Sequence, residues 1–204
     1  MGWSKKIKIT WDWPVEKGHY LTSNPFSPVA VAVILTYDYE KIPVEINNIV
    51  QTSVEKGASI AGTLQTANIG IEKIILNIIS NPNIRWLILT GQKSIGHKPD
   101  DALKSLMTNG INNKGYIINT YAPTAILKNI PLETVERFRR QVKLIDLIDN
   151  MDIGILEKAV WSCYQEKPVL FQTGQEKVEL WDMGAYPEEP IIYRISDKLK
   201  GGDL

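Results

Sequence analysis

One of the two histidines of this 204-residue chain, His97, lies where it could ligate a metal. It follows Gly96 in GQKSIGHKPDD (91–101), just after the apolar run IRWLIL. Imidazole is a common metal ligand, and an adjacent glycine lets the backbone approach a large ligand closely. The sequence has no HExxH or HxxxH spacing, so it does not indicate a zinc site built by the protein alone. His97 could still be one axial ligand of a metal in a macrocycle, a tetrapyrrole or corrinoid. The alternative is an ordinary surface histidine.

Other residues that could carry chemistry give weaker patterns. His19 lies in a turn-rich segment with no partner residues nearby in sequence. Cys163 falls on a predicted helix with Leu156 and Val160, which favours a buried, unreactive thiol. The loop GTLQTANIG (62–70) matches neither a P-loop nor a dinucleotide-binding fingerprint. The helix start near Asn68 could bind a polar group through backbone N–H groups, or be an ordinary capped loop.

Composition limits the classes of function. With 23 basic and 23 acidic residues the formal charge is zero, so we expect no nucleic-acid partner. The longest apolar run, 29–35, is far shorter than the roughly 20 residues of a membrane-spanning helix, and we expect no span. A single cysteine fits a reducing compartment. These features predict a soluble, cytoplasmic protein.

Hydrophobic patterning predicts alternating strands and helices, and therefore an α/β layered domain with a largely parallel sheet. We expect one domain over 1–204, with a wrapping N-terminal segment (1–28) and a strand-containing tail (168–204). Asn68 is the predicted N-cap of the second helix. The predicted strands cover 28–38, 58–64, 84–91 and 116–123; the predicted helices cover 44–57, 68–81, 100–110, 131–149 and 153–167.

Ligands of such sheets bind beyond the carboxyl ends of the strands, on loops that lead into helices. Two predicted loops have that position, 62–70 and 91–101. If their strands are neighbours in the sheet, His97 and the 62–70 loop face one crevice.

Several segments resemble the A subunit of tetrahydromethanopterin S-methyltransferase. This is the corrinoid-carrying component of the sodium-pumping methyltransferase complex of methanogenic archaea. The likeness runs in order from about residue 11 to about residue 150, and its most specific stretch is NIGIEKIILNIISNPNIR. The other similar stretches are WDWPVEKGHYLTSNPFSPVAVAVI, GHKPDDALKSLMTNGINNKGYIINTYAP and NIPLETVERFRRQVKLIDLID.

The resemblance implies a Rossmann-like domain that binds a cobamide, with cobalt held from below by a histidine. Gly96–His97 match the family's Gly–His pair, so the resemblance implies that His97 is the lower axial cobalt ligand and that Gly96 lies close to the corrin edge. It also implies a methyl carrier in one-carbon metabolism, which takes a methyl group from methyl-tetrahydromethanopterin for transfer to coenzyme M, with other methyltransferase subunits as partners. The expected corrin pocket contains Leu64, Gln65, Thr66, Asn68, Gly70, Gly91, Gln92, Tyr121, Ala122 and Pro123.

Two alternatives stay open at this point. The chain could bind a cobamide for storage, delivery or sensing without turnover, or it could be a homologue that has lost the cofactor and serves as a structural subunit.

Overall fold

The computed structural model describes residues 12–36, 41–164 and 171. The strands are β1 Tyr20–Thr22, β2 Val29–Ile34, β3 Ile60–Leu64, β4 Trp86–Gly91 and β5 Lys143–Ile148; the helices are α1 Val44–Glu55, α2 Ile69–Ile79, α3 Pro99–Asn109, α4 Leu132–Gln141 and α5 Ile153–Cys163. The strands form one sheet in the order β1-β3-β2-β4-β5. Only β1 pairs antiparallel with its neighbour, β3. The predicted α/β class with a largely parallel sheet is therefore confirmed.

The central strand, β2, is buried along its whole length. Successive side chains of a strand point to opposite faces, so its alanines and valines enter different layers. Ala30 and Ala32 belong to the core under α2, α3 and α4. Val31 and Val33 belong to the core under α1 and α5. The sheet is thus covered by helices on both faces, as its parallel strands require.

The chain reverses its direction of travel across the sheet beside β2. From β2 it passes through α1 to β3 on one side, and then through α2 to β4 on the other side. The crevice between the carboxyl ends of β2 and β4 is therefore the switch point, where ligands of such folds bind. Loop 92–98, which contains His97, leaves β4 at this crevice.

His97 and the 62–70 loop were expected to face one crevice if the strands before them were neighbours in the sheet. They are not neighbours. β2 lies between β3 and β4, so the strands that carry these loops are not neighbours. Two strand spacings, about 10 Å, separate the carboxyl ends of β3 and β4. The 62–70 loop and loop 92–98 share the carboxyl edge of the sheet but lie on opposite sides of β2.

The predicted helix over 131–149 is wrong in its second half. α4 ends at Gln141, and β5 pairs in parallel with β4 over its six residues. The apolar residues Val142, Ile145 and Ile148 fit a helical spacing, but the ladder with a buried strand prevails over local periodicity. The side-chain amide of Gln141 donates hydrogen bonds to the Ile78 and Asn81 carbonyls at 2.9 and 3.0 Å. These bonds fix the junction between α4 and β5.

The predicted strand over 116–123 is also wrong. The chain there makes two isolated antiparallel bridges, Ile111 with Ile117 and Tyr116 with Ile126. Both bridges pair parts of the connection between α3 and α4 with each other, so this segment never joins the sheet.

The C-terminal predictions are tested only in part. α5 ends at Cys163, earlier than the predicted 153–167. Within 168–204 only Phe171 is described, so the predicted strands of the tail lie outside the described residues. In the part of the chain that the structure describes, every helix is too short or too polar to cross a bilayer.

Candidate functional site

His97 is exposed on loop 92–98, at the carboxyl edge of the sheet. Its imidazole accepts or donates no hydrogen bond within the described ranges. Gly96 is exposed as well, and a Cβ built on it would meet no atom within 4 Å. Lys98 adopts the left-handed conformation, with φ +46°, and Pro99 then begins α3. The loop therefore presents His97 to solvent on a sharply turned backbone with open space beside it.

The base of this loop is held firmly. The Lys93 amide donates to Asp149 Oδ1 at 2.9 Å, and Thr90 Oγ1 donates to the Asn150 carbonyl at 2.6 Å. Gly91 is buried with φ +102°, and a Cβ there would lie 2.9 Å from the backbone nitrogen of Ile34. The ends of β2 and β4 therefore approach each other closely because Gly91 has no side chain. A fixed base and a free tip are suited to positioning a ligand residue.

The loop that contains Tyr121 is held at the same edge by a carboxylate of α3. Asp101 Oδ2 accepts hydrogen bonds from Thr120 Oγ1 at 2.6 Å and from the Tyr121 amide at 2.7 Å. The Tyr121 ring is 81% exposed, and the ammonium of Lys98 lies 5.9 Å from its centroid. Tyr121 is thus beside the residue that follows His97. Pro123 is exposed in the same loop, and Ala122 is buried beneath it.

The loop after β3 places the predicted residue at the N-cap of α2, but another side chain makes the hydrogen bond. Asn68 occupies the N-cap position of α2, but its side chain makes no capping hydrogen bond. Thr66 Oγ1 accepts from the Gly70 amide at 2.9 Å and performs that role instead. Leu64 is fully buried, whereas Gln65 is half-buried. The predicted N-cap position of Asn68 is therefore confirmed, but the helix N–H is satisfied by the hydroxyl two residues earlier and not by the Asn68 side chain.

The predicted site residues fall into three groups by position. His97, Gly96, Gln92, Tyr121 and Pro123 are exposed on the β4 side of the edge; Gln65, Thr66, Asn68 and Gly70 are half-buried on the β3 side; Gly91, Leu64 and Ala122 are buried beneath.

Several exposed apolar side chains lie along the carboxyl edge of the sheet. Ile95 is 91% exposed, and Tyr121 is close to the same loop. Val44, Ile69 and Ile153 are the first residues of α1, α2 and α5, and all three are exposed. These helices follow parallel strands, so they begin at the carboxyl edge.

Two residues of the site were not singled out from the sequence. Asp101 fixes the position of Tyr121, and Asp100 is 1% exposed in the first turn of α3. Acidic residues in the first turn of a helix usually stabilise its dipole, so their type and position gave no separate signal.

The donor set around His97 is that of a single protein ligand. Among residues 12–36 and 41–164 no three His, Cys, Asp or Glu side chains are grouped to hold a metal ion. A metal bound by His97 would take its other ligands from the molecule that carries the metal, such as a macrocycle.

The second histidine lines a separate cavity. His19 is buried, and burial lowers the pKa of its imidazole. The cavity, about 70 Å³, lies between the sheet and α2 and includes Lys73 and Gly62 among its lining residues. None of its lining residues belongs to the His97 loop.

The fold and the position of this edge define the class: a doubly wound α/β protein whose loops at the carboxyl ends of the strands form the candidate binding surface. Residues 5–187 match the family model of the tetrahydromethanopterin S-methyltransferase A subunit. The chain belongs to this family.

The chain covers a different share of the length of each relative. It is 37% identical over 192 residues to the tetrahydromethanopterin S-methyltransferase A subunit of Methanocaldococcus jannaschii, covering 94% of this chain and 69% of the relative. It is 36% identical to the second such A subunit of Methanothermobacter marburgensis, covering 95% of this chain and 91% of the relative. It is 40% identical to the first such A subunit of Methanobrevibacter ruminantium, covering 83% of this chain and 65% of the relative.

Proposed function

We propose that this chain binds a cobamide at the carboxyl edge of its sheet, with His97 as the lower axial ligand of cobalt. The bound cobamide would carry a methyl group between methyl-tetrahydromethanopterin and coenzyme M, as the resemblance to the methyltransferase A subunits implies. The observation that carries the proposal is the exposed His97 imidazole, which has no hydrogen-bond partner in the described residues, at the switch point. A single domain would contain the whole binding site.

Three observations test whether the residues present suit a cobamide. The open space beside Gly96 leaves room for the edge of a large ring. Ile95 and Tyr121 expose apolar surface that a corrin would cover. His97 offers one nitrogen ligand with no competing metal cluster in the described ranges, as a metal already ligated by a macrocycle requires. The residues fit the cofactor.

The cobamide supplies a cobalt atom that can hold and release a methyl group, and the protein supplies binding, orientation and exclusion of water. In this division His97 would bind the metal, and the hydrogen bonds that Asp149 and Asn150 accept from Lys93 and Thr90 keep the base of its loop in place. Tyr121, held by Asp101, would cover the ring and limit access of water.

Titration with hydroxocobalamin, followed by visible absorption, tests the ligand. We expect the wild-type protein to give a base-off, histidine-on spectrum, and His97→Ala to lose it with a fall in affinity of more than about tenfold. His19→Gln is the matched control, since it removes the other histidine and leaves loop 92–98 intact. Retention of the wild-type spectrum by His97→Ala would contradict the proposal.

A second measurement separates a methyl carrier from a protein of storage, delivery or sensing. The cobamide-loaded protein is reduced and incubated with the other methyltransferase subunits and with methyl-tetrahydromethanopterin that is isotopically labelled in its methyl group. Label on the cobamide, and its later transfer to coenzyme M, are the results expected of a carrier. Tight binding without transfer would assign the storage, delivery or sensing role instead.

A further inference from the structure

The cavity under α2 follows from small residues in the strands that face this helix. Ala30 and Ala32 of β2 belong to the core under α2, and Gly62 of β3 pairs with Ala32. All three line the cavity, which has a volume of about 70 Å³. A Cβ on Gly62 would lie 2.7 Å from the carbonyl oxygen of His19, so this position has no room for a side chain. Because unfilled space in a core costs stability, its retention calls for an explanation.

The inner end of the cavity is apolar. Ile78 of α2 and Leu87 of β4 are buried there, and Ile60 and Ile74 are also lining residues. The volume is roughly half that of a cavity that accepts one benzene molecule, about 150 Å³. The space therefore suits an aliphatic chain of about three carbons.

The outer end of the cavity carries a cationic side chain. Lys17 is exposed and Lys73 is half-buried, so this end faces solvent. The Lys73 ammonium donates a hydrogen bond to the Lys17 carbonyl at 3.2 Å. Burial lowers the pKa of Lys73, and the negative charge of Glu16 raises this pKa by less. The ammonium is therefore not fully compensated for its burial, and an anion beside it would be stabilised.

Asn77, which also lines the cavity, is already engaged. Its Oδ1 accepts from the Glu16 amide at 2.7 Å, and its Nδ2 donates to the Glu16 carbonyl at 3.0 Å. These bonds hold the backbone of Glu16 against α2, and the carboxylate of Glu16 acts on Lys73. An anionic ligand would therefore share Lys73 with Glu16. A molecule with an apolar chain and one negative end matches both ends of the cavity.

We propose that the cavity under α2 binds a small aliphatic monocarboxylate, whose chain of about three carbons occupies the apolar end and whose carboxylate accepts a hydrogen bond from Lys73. No lining residue belongs to loop 92–98, and the space is far too small for a corrin ring. The cavity is thus a second ligand site, and it does not depend on whether the chain binds a cobamide.

A series of acids of increasing chain length tests the site on the full chain, by ¹H–¹⁵N NMR titration that follows the amides of Gly62 and Gly70. We expect saturable shifts with butyrate and a dissociation constant of about 1 mM or below. Affinity should rise about fourfold per carbon from acetate to butyrate, with no further gain for hexanoate, because the cavity is then full.

Two results of this series would overturn the proposal. 1-Butanol, which has the same length and no charge, should bind at least about tenfold more weakly than butyrate, and equal affinity would exclude a carboxylate site. Absence of a saturable shift with every acid would show that the cavity holds only water.

Two variants should change the affinity for butyrate in opposite directions. We expect Lys73→Met to weaken binding by at least about tenfold, because the carboxylate loses its charged donor. Glu16→Gln should strengthen binding, since it removes the competing carboxylate and keeps the backbone bonds to Asn77. Lys104→Met is the matched control: this lysine pairs with Asp146 and does not line the cavity, so the affinity should stay within about twofold of wild type.

Filling the cavity gives an independent reading. We expect Ala32→Val to abolish butyrate binding while the melting temperature stays unchanged or rises, because the added methyl groups occupy the space of the chain. A folded Ala32→Val or Lys73→Met variant that binds butyrate as tightly as wild type would overturn the proposal. If Ala32→Val does not fold, the opposite effects of Lys73→Met and Glu16→Gln decide the question.

Discussion

Asp101 Oδ2 accepts the backbone amide of Tyr121 at 2.7 Å, so a carboxylate of α3 holds an aromatic residue from the distant α3–α4 connection. The same oxygen accepts from Thr120 Oγ1 at 2.6 Å. The His97 loop and the Tyr121 loop are thus joined through the first turn of one helix. The position of Tyr121 at the candidate site therefore depends on Asp101.

We expect Asp101→Ala to lower the free energy of unfolding by about 1–3 kcal/mol, because two donors lose a charged acceptor. Amide hydrogen exchange at Tyr121 should become faster. Denaturant unfolding and exchange measured by NMR check both effects. Asp146→Ala is the control: its ion pair with Lys104 is solvent-exposed, so we expect a cost of at most about 1 kcal/mol. Unchanged exchange at Tyr121 in Asp101→Ala would contradict the prediction.

Gly91 and Gly96 are expected to respond very differently to alanine. Gly91 has φ +102° and no room for a Cβ beside Ile34, whereas a Cβ on Gly96 would meet open space. We expect Gly91→Ala to cost more than about 2 kcal/mol of unfolding free energy, and Gly96→Ala to change it by less than about 0.5 kcal/mol. Thermal and denaturant unfolding of the two variants measure the difference. Similar stabilities would show that the ends of β2 and β4 tolerate separation.

Much of the fold was predictable because long apolar runs and helical stripes specify their own elements. The continuous apolar sequence of Val29–Ile34 predicts a strand that is buried on both faces of the sheet, as observed. The stretch after Gln141 was not predictable, since Val142, Ile145 and Ile148 satisfy a helical period equally well. Its pairing with β4 depends on a strand more than 50 residues earlier, and local periodicity does not encode that contact.

The candidate site was predictable only where position in the fold decides it. A histidine after a buried strand and a glycine must lie at the carboxyl edge, and His97 does. The contact of Asp101 with Tyr121 crosses the α3–α4 connection, which the type and spacing of these residues do not reveal. Asn68 occupies the predicted N-cap position of α2, but the hydroxyl that accepts from the helix belongs to Thr66, a contact that position alone does not reveal.

Cys163 should be unreactive while the protein is folded. Its thiol is buried against the core under α5, and burial raises its pKa, so little thiolate is present at neutral pH. We expect alkylation by iodoacetamide at pH 7.5 to be at least about tenfold slower than in denaturant. Mass spectrometry over time measures the rate. Alkylation at the rate of the unfolded chain would show that α5 detaches readily from the sheet.

The stability of the fold should decrease in mild acid because of His19. Burial lowers the pKa of its imidazole below the ordinary value of about 6.5, so at lower pH the unfolded chain binds a proton more readily than the folded chain. The contribution of His19 is therefore complete above about pH 6.5 and is lost as pH falls through the lowered pKa. Lys73 lines the same cavity as His19, and burial lowers its pKa as well.

Unfolding free energies between pH 5 and pH 8 measure this effect, with His19→Gln as the comparison. The carboxylates titrate in both proteins, so the difference between the two curves isolates His19. We expect that difference to be constant above about pH 7 and to shrink below about pH 6.5, because only the wild type loses stability to protonation of this ring. Parallel curves across the whole range would mean that the imidazole accepts its proton without leaving the folded state.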